Sequence, residues 1–151
     1  MNKKGFTLVE LLAVIVIIVL ITLITNAGVN ALQKGVNQSI WNSNISLIET
    51  SATKFGTDRL EQIKNLTTTC KIDNKTYNHC MQISVNKLIE KGYIKTKEKI
   101  EYNGNTVKVV INPTVEKEES ATKNFTNGYY VNEKYVYIYV INDIVYAKYM
   151  G

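Results

Sequence analysis

The stretch NKKGFTLVELLAVIVIIVLITLI, Asn2 to Ile24, decides the fold. From Phe6 to Ile24 it holds one charge, the carboxylate of Glu10. A helical rise of about 1.5 Å per residue makes that run about 29 Å long, close to the hydrocarbon thickness of a bilayer. Lys3 and Lys4 precede it, and no charge follows it until Lys34. That asymmetry places the N-terminus in the cytoplasm and the remainder outside. A charged side chain inside such a helix costs about 3 kcal/mol on insertion scales. A plain anchor would carry valine where Glu10 stands, so the acid has a task.

Three readings compete for this segment. A secretory signal has a basic start, a short apolar stretch and a small-residue cleavage site. The start fits, and TNA or VNA would serve as the site, but the apolar stretch is too long and the acid is out of character. A simple membrane anchor explains the length and leaves Gly5 and Glu10 unexplained. The third reading uses every residue. KKG followed by FTLVELLAVIVIIVLI closely resembles the start of the type IV prepilins and pseudopilins. In that family a basic leader ends in glycine, and a membrane-embedded aspartic peptidase cuts after it and methylates the new N-terminus. The resemblance implies cleavage after Gly5, a methylated Phe6 as first residue, and Glu10 as the family's acid. It covers residues 3–25 and is only general beyond them.

Elementary chemistry supports the same roles. Glycine at a cut site lets an extended backbone enter a narrow cleft. Cleavage leaves a positive amine at Phe6, and Glu10 lies one helical turn away. In staggered helices, Glu10 of one subunit would face the Phe6 amine of its neighbour. Two unit charges about 4 Å apart are worth roughly 4 kcal/mol at an effective dielectric of 20. Desolvation offsets much of that, so the pair acts mainly as a register device. The alternative task for Glu10 is to complement the helix dipole, and the two are compatible.

The helix is expected to continue past the apolar run. Val29, Leu32, Val36, Ile40, Leu47, Ile48, Ala52 and Phe55 recur at helical steps, with Asn44 interrupting one turn. Gly28, Gly35 and the Asn/Ser content lower intrinsic helicity, so the stripe must lean on other structure. The single proline, Pro113, lies far downstream, which excludes a proline kink. One long helix over about 6–55 is expected, stopped by Gly56. Ser84, Val85, Leu88, Ile89 and Gly92 read as a short capped helix. KIEYNGNTVKVVIN reads as a hairpin around Asn103-Gly104. GYYVNEKYVYIYVINDIVYAKYM reads as three strands turning near Asn132–Lys134 and Asn142-Asp143. The charged segment between them is a surface loop. The fold class is α+β and pilin-like: a long helix packed on an antiparallel sheet of four or five strands. Its domains are a leader at 1–5, a transmembrane and assembly half of the helix at 6–28, and an extracytoplasmic head at 29–151.

Composition limits the chemistry. Eighteen basic and thirteen acidic residues give +5; without the two leader lysines 16 basic residues remain against those 13 acids. That excess is small for a nucleic-acid binder. Cys70 and Cys80 are the only cysteines, and an even pair in an exported domain reads as a disulfide rather than two free thiols. DNKTYNHC is then the loop it closes. His79 is the single histidine, and no His/Cys/Asp cluster has metal-ligand spacing. No phosphate loop or nucleophile elbow is present, Glu118 and Glu119 sit in the charged loop, and no catalytic residue or cofactor is expected. Lys95, Lys97 and Lys99 share a face if they form a strand, either as a protected edge or as an anion-contacting strip. Tyr135, Tyr137 and Tyr139 alternate with Val136, Ile138 and Val140, as sheet residues with wet hydroxyls or as an exposed aromatic face.

The resemblance also implies partners: a prepilin peptidase, sibling pilins in a homo- or hetero-polymer, an assembly ATPase and a membrane platform protein. It implies a single-pass precursor in the cytoplasmic membrane, then an extracellular filament. A competence pseudopilin contacting DNA is one variant. A single-span anchored binding protein that never polymerises is the alternative of a different class.

Overall fold

Helix α1 runs Leu8–Thr57 and accounts for the first third of the chain. The computed structural model describes residues 8–117, 125 and 127–151, and for 23–27 the backbone alone. The chain divides into two units, one ending at Val36 and one spanning Asn37–Gly151. In the first unit the described apolar side chains from Leu8 to Ile21 are all exposed. Among the described residues no helix is long and apolar enough to cross a membrane. The expected span begins at Phe6 and takes in 23–27, so part of it lies outside the described residues.

The second unit is built on the end of α1. Ile48, Ala52 and Phe55 lie one turn apart and are buried, packed with Ile83, Val85, Leu88, Val136, Ile138 and Val145. Each of these side chains other than Ala52 contributes about 1.5–3 kcal/mol by leaving water. Asn44 interrupts the apolar stripe because its amide donates to the Ile111 carbonyl at 2.8 Å. The stripe is covered over only part of its length. Val29, Leu32, Val36 and Ile40 remain exposed, Leu32 to 73%.

Gly56 corrects the expectation of a glycine stop. It lies inside α1, and a Cβ there would stand 2.6 Å from Ile138 Cγ2 and 2.7 Å from Val145 Cγ1. The missing side chain lets the helix backbone approach the sheet. After Thr57 a short helix, α2 (Leu60–Lys64), buries Ile63 in the same core. Arg59 lies across the Phe55 ring, 4.0 Å from its centre, and donates to the Tyr93 hydroxyl.

Among the described residues the expected single sheet is instead three small antiparallel sheets. Strands β1 (Thr69–Ile72) and β2 (Lys75–Asn78) pair alone, where a plain disulfide loop was expected. Asp73 and Asn74 turn between them with φ of 47° and 64°, the left-handed pair a tight hairpin requires. Strand β3 (Cys80–Ser84) leads into helix α3 (Val85–Glu90), whose first turn is capped by the Ser84 hydroxyl accepting from Lys87 N. Strands β4 (Lys99–Tyr102) and β5 (Asn105–Lys108) form the hairpin expected around Asn103-Gly104. Lys95 and Lys97 fall outside β4, so only Lys99 of the three lysines is in a strand. Strands β6 (Tyr135–Ile141) and β7 (Ile144–Tyr149) turn at Asn142-Asp143 and complete the order β3-β6-β7.

The third strand expected after Gly128 is reduced to one bridge, Ile111 to Tyr130. Buried Asn132 ends it. Its Oδ1 accepts from Val110 N, and its Nδ2 donates to the Lys108 carbonyl, so a side chain replaces the next rung.

Gly56→Ala tests the close approach. Overpacking costs about 1–3 kcal/mol, more than the roughly 1 kcal/mol a helix gains from alanine over glycine. Denaturant unfolding should show a less stable Gly56→Ala variant. Gly35→Ala, with nothing within 4 Å of the new methyl, should unfold at the same or higher denaturant.

Candidate functional site

Glu10 stands in the first turn of α1, where a carboxylate complements the positive end of the helix dipole. Gly5 and Phe6, the expected cleavage and methylation residues, lie outside the described residues. Around Glu10 the helix is apolar on every side: Leu8, Val9, Leu11, Leu12, Val14 and Ile15 are all exposed. A helix apolar all round belongs in a bilayer or in a bundle of other helices. Thr22 directs its hydroxyl back to the Ile18 carbonyl, within the helix itself. The arrangement offers apolar area and one acid.

The described part of the second unit is equally poor in catalytic geometry. Among the described residues no group of His, Cys, Asp and Glu could hold a metal ion. His79 has φ of 53° and its Nδ1 lies 2.9 Å from the Leu66 carbonyl, a loop-fixing role. Glu118 and Glu119 lie outside the described residues. Cys70 and Cys80 are joined in a disulfide, their Cα atoms 5.8 Å apart. Closing so short a loop is worth about 3 kcal/mol in the chain-entropy account. The bridge is buried with Ile72 under Tyr77, Tyr137 and Tyr139.

The tyrosines are more organised than alternation alone implied. Tyr77, on β2, lies 4.3 Å from the Tyr139 ring, and Tyr139 stacks on Tyr146 at 5.6 Å. Burial, then repulsion from Tyr77 and Tyr146, raises the Tyr139 hydroxyl pKa. Tyr77 escaped notice because its strand was read as loop; the signal was the Asp-Asn pair between two polar-apolar runs. Tyr149 meets Trp41 edge-on at 5.7 Å, and the Tyr149 amide donates to Glu49 Oε1 at 3.1 Å, tying β7 to α1.

The N-terminus is decided by comparison with protein families, in which residues 1–25 match the description "Prokaryotic N-terminal methylation motif". The chain carries a prepilin-type methylation motif. That motif indicates the type IV pilins and pseudopilins, which are structural rather than enzymatic proteins. It implies a membrane-anchored precursor, processing by a prepilin peptidase, and delivery to pilus assembly at the cell surface. No curated protein and no solved structure gives a significant match to the chain. The prepilin-type motif therefore speaks for the first 25 residues, and the α+β head speaks for itself.

Burial pushes the Tyr149 hydroxyl up to about 12. Between its ordinary value of 10 and 12, the unfolded chain loses this proton and the folded chain keeps it. The folded state then binds more protons, so stability falls as pH rises through that window. Tyr149→Phe should flatten this part of the pH profile of unfolding free energy, measured by denaturant titration from pH 9 to pH 12.

Proposed function

We propose that this chain is a structural subunit of a type IV pilus-like filament. It is made as a prepilin, cut after Gly5 and methylated at Phe6. It is then stacked by helix packing, with Glu10 facing the Phe6 amine of the next subunit. The observation that carries this reading is the Leu8–Ile21 stretch of α1: apolar side chains exposed all along it, with one acid in the first turn, inside a methylation motif. In this account residues 1–5 are the leader, 6–28 hold the precursor in the membrane and later line the filament, and 29–151 project as the head. The membrane and the filament core are two environments that cover the same apolar surface, so extraction costs little apolar area. Glu10 is the exception. Beside a neighbouring amine its charge is paired across subunits, which favours the assembled register over a slipped one. An assembly ATPase, a platform protein and sibling pilins supply the extraction and the lattice.

The Glu10 series tests this against a non-polymerising anchor. Glu10→Val should insert normally, because the span becomes more apolar. Its share in sheared filaments relative to membranes should fall severely. Glu10→Asp keeps the charge one methylene short and should retain part of the wild-type ratio. Glu10→Gln should follow valine, since the amide cannot pair as an ion. A valine variant that assembles as well as wild type would leave Glu10 a dipole complement and remove the register role.

A further inference from the structure

We propose that the cleft between the β4–β5 hairpin and the turn before β6 binds an organic ammonium group, as carried by a lysine side chain or a free alkylamine. The cavity measures about 670 Å³, within the range of small-ligand sites. Its described lining includes the aromatic residues Tyr102, Phe125 and Tyr135, the acidic Glu133, and the amide residues Asn86 and Asn132.

The polar groups divide into two kinds. The amides are engaged in holding the walls. Asn132 accepts from Val110 N and donates to the Lys108 carbonyl, and Asn86 Nδ2 donates to Glu90 Oε1 at 2.7 Å. Ser84, at the cleft edge, accepts from Lys87 N. Glu133 differs: it is exposed and takes part in no ion pair among the described residues. Among the described lining residues, the one charged group is therefore the Glu133 carboxylate.

The rings add to that field. An aromatic face is the negative end of its quadrupole and attracts a cation within about 6 Å of its centre. Tyr102 meets Phe125 edge-on, with centroids 4.8 Å apart and planes at 64°, so the two rings are not stacked face to face. Tyr135 is half exposed at the mouth. Phe125 sits at φ of 53°, a left-handed conformation that a bulky residue seldom adopts. Its ring is buried between Tyr102 and Tyr130. Strain of this kind gathers at binding sites. An anion would meet the like-charged Glu133 carboxylate, and a neutral apolar group would leave the carboxylate unused. An ammonium head on an alkyl stem uses both, with the stem against the rings.

The test uses the full chain in detergent micelles with ring-labelled tyrosine, titrated with n-butylammonium chloride against 1-pentanol at constant ionic strength. Tyr102 and Tyr135 ring signals should shift saturably with the ammonium ion and not with the alcohol. Glu133→Gln should weaken binding about tenfold, the loss of one opposed charge. Tyr135→Leu should weaken it as well, with circular dichroism confirming that both variants fold. A lysine tripeptide with blocked ends that binds more tightly than n-butylammonium supports a protein side chain as the source. Equal or weaker binding of the tripeptide supports a free amine. An unsaturated linear response, equal binding of the alcohol, or a Glu133→Gln variant that binds as well as wild type overturns the proposal. The filament reading plays no part in any of these outcomes.

Discussion

Close contact between the end of α1 and the β3-β6-β7 sheet is the constraint from which the head is organised. Ile48, Ala52 and Phe55 present one buried edge, and Gly56 removes the side chain that would hold the helix away from Ile138 and Val145. Alanine at position 52 and glycine at 56 are both small, so the helix backbone sits close where the sheet is most apolar. Around that contact several segments are fastened to the end of α1. Asn44 holds the Ile111 segment, Glu49 holds the Tyr149 amide, and Arg59 spans Phe55 and Tyr93. The small sheets then need little hydrogen bonding with one another. The β1–β2 pair, too short to be stable alone, is secured by the Cys70–Cys80 bridge.

The same helix is asked to do the opposite at its other end. From Leu8 to Ile21 its apolar surface is open, and it stays open at Val29, Leu32, Val36 and Ile40. A soluble monomer would bear a heavy solvation cost for that surface, of order 25 cal/mol per Å². A membrane and a helix bundle each remove the cost, and the methylation motif connects the two in sequence. Glu10 is the residue that distinguishes them. In the proposed filament its carboxylate is compensated by a neighbour's amine, so a side chain that weakens the anchor would give the bundle its stagger.

Much of this was legible in the order of residues. The long helix, the Ser84 cap, the Asn103-Gly104 and Asn142-Asp143 turns and the Tyr/Val alternation of β6 are local signals, and local physics is what a sequence displays most directly. The β1–β2 hairpin was missed because its strands are four residues each and largely polar, leaving Asp73-Asn74 as the sole cue. Gly56 was misread as a stop because a helix-ending glycine and a close-packing glycine look alike until the opposing Ile138 and Val145 are known. The split into three sheets and the cleft around Glu133 depend on Asn132, whose side chain takes over a backbone rung. Nothing in the local pattern announces that substitution.

In the proposed function the chain leaves the membrane as a cut and methylated filament subunit. The most direct measurement is the N-terminal sequence and intact mass of this chain in material sheared from the cell surface and pelleted as filaments. The account predicts a chain in that pellet beginning at Phe6 with one added methyl group. A chain confined to the membrane fraction and still beginning at Met1 would contradict it.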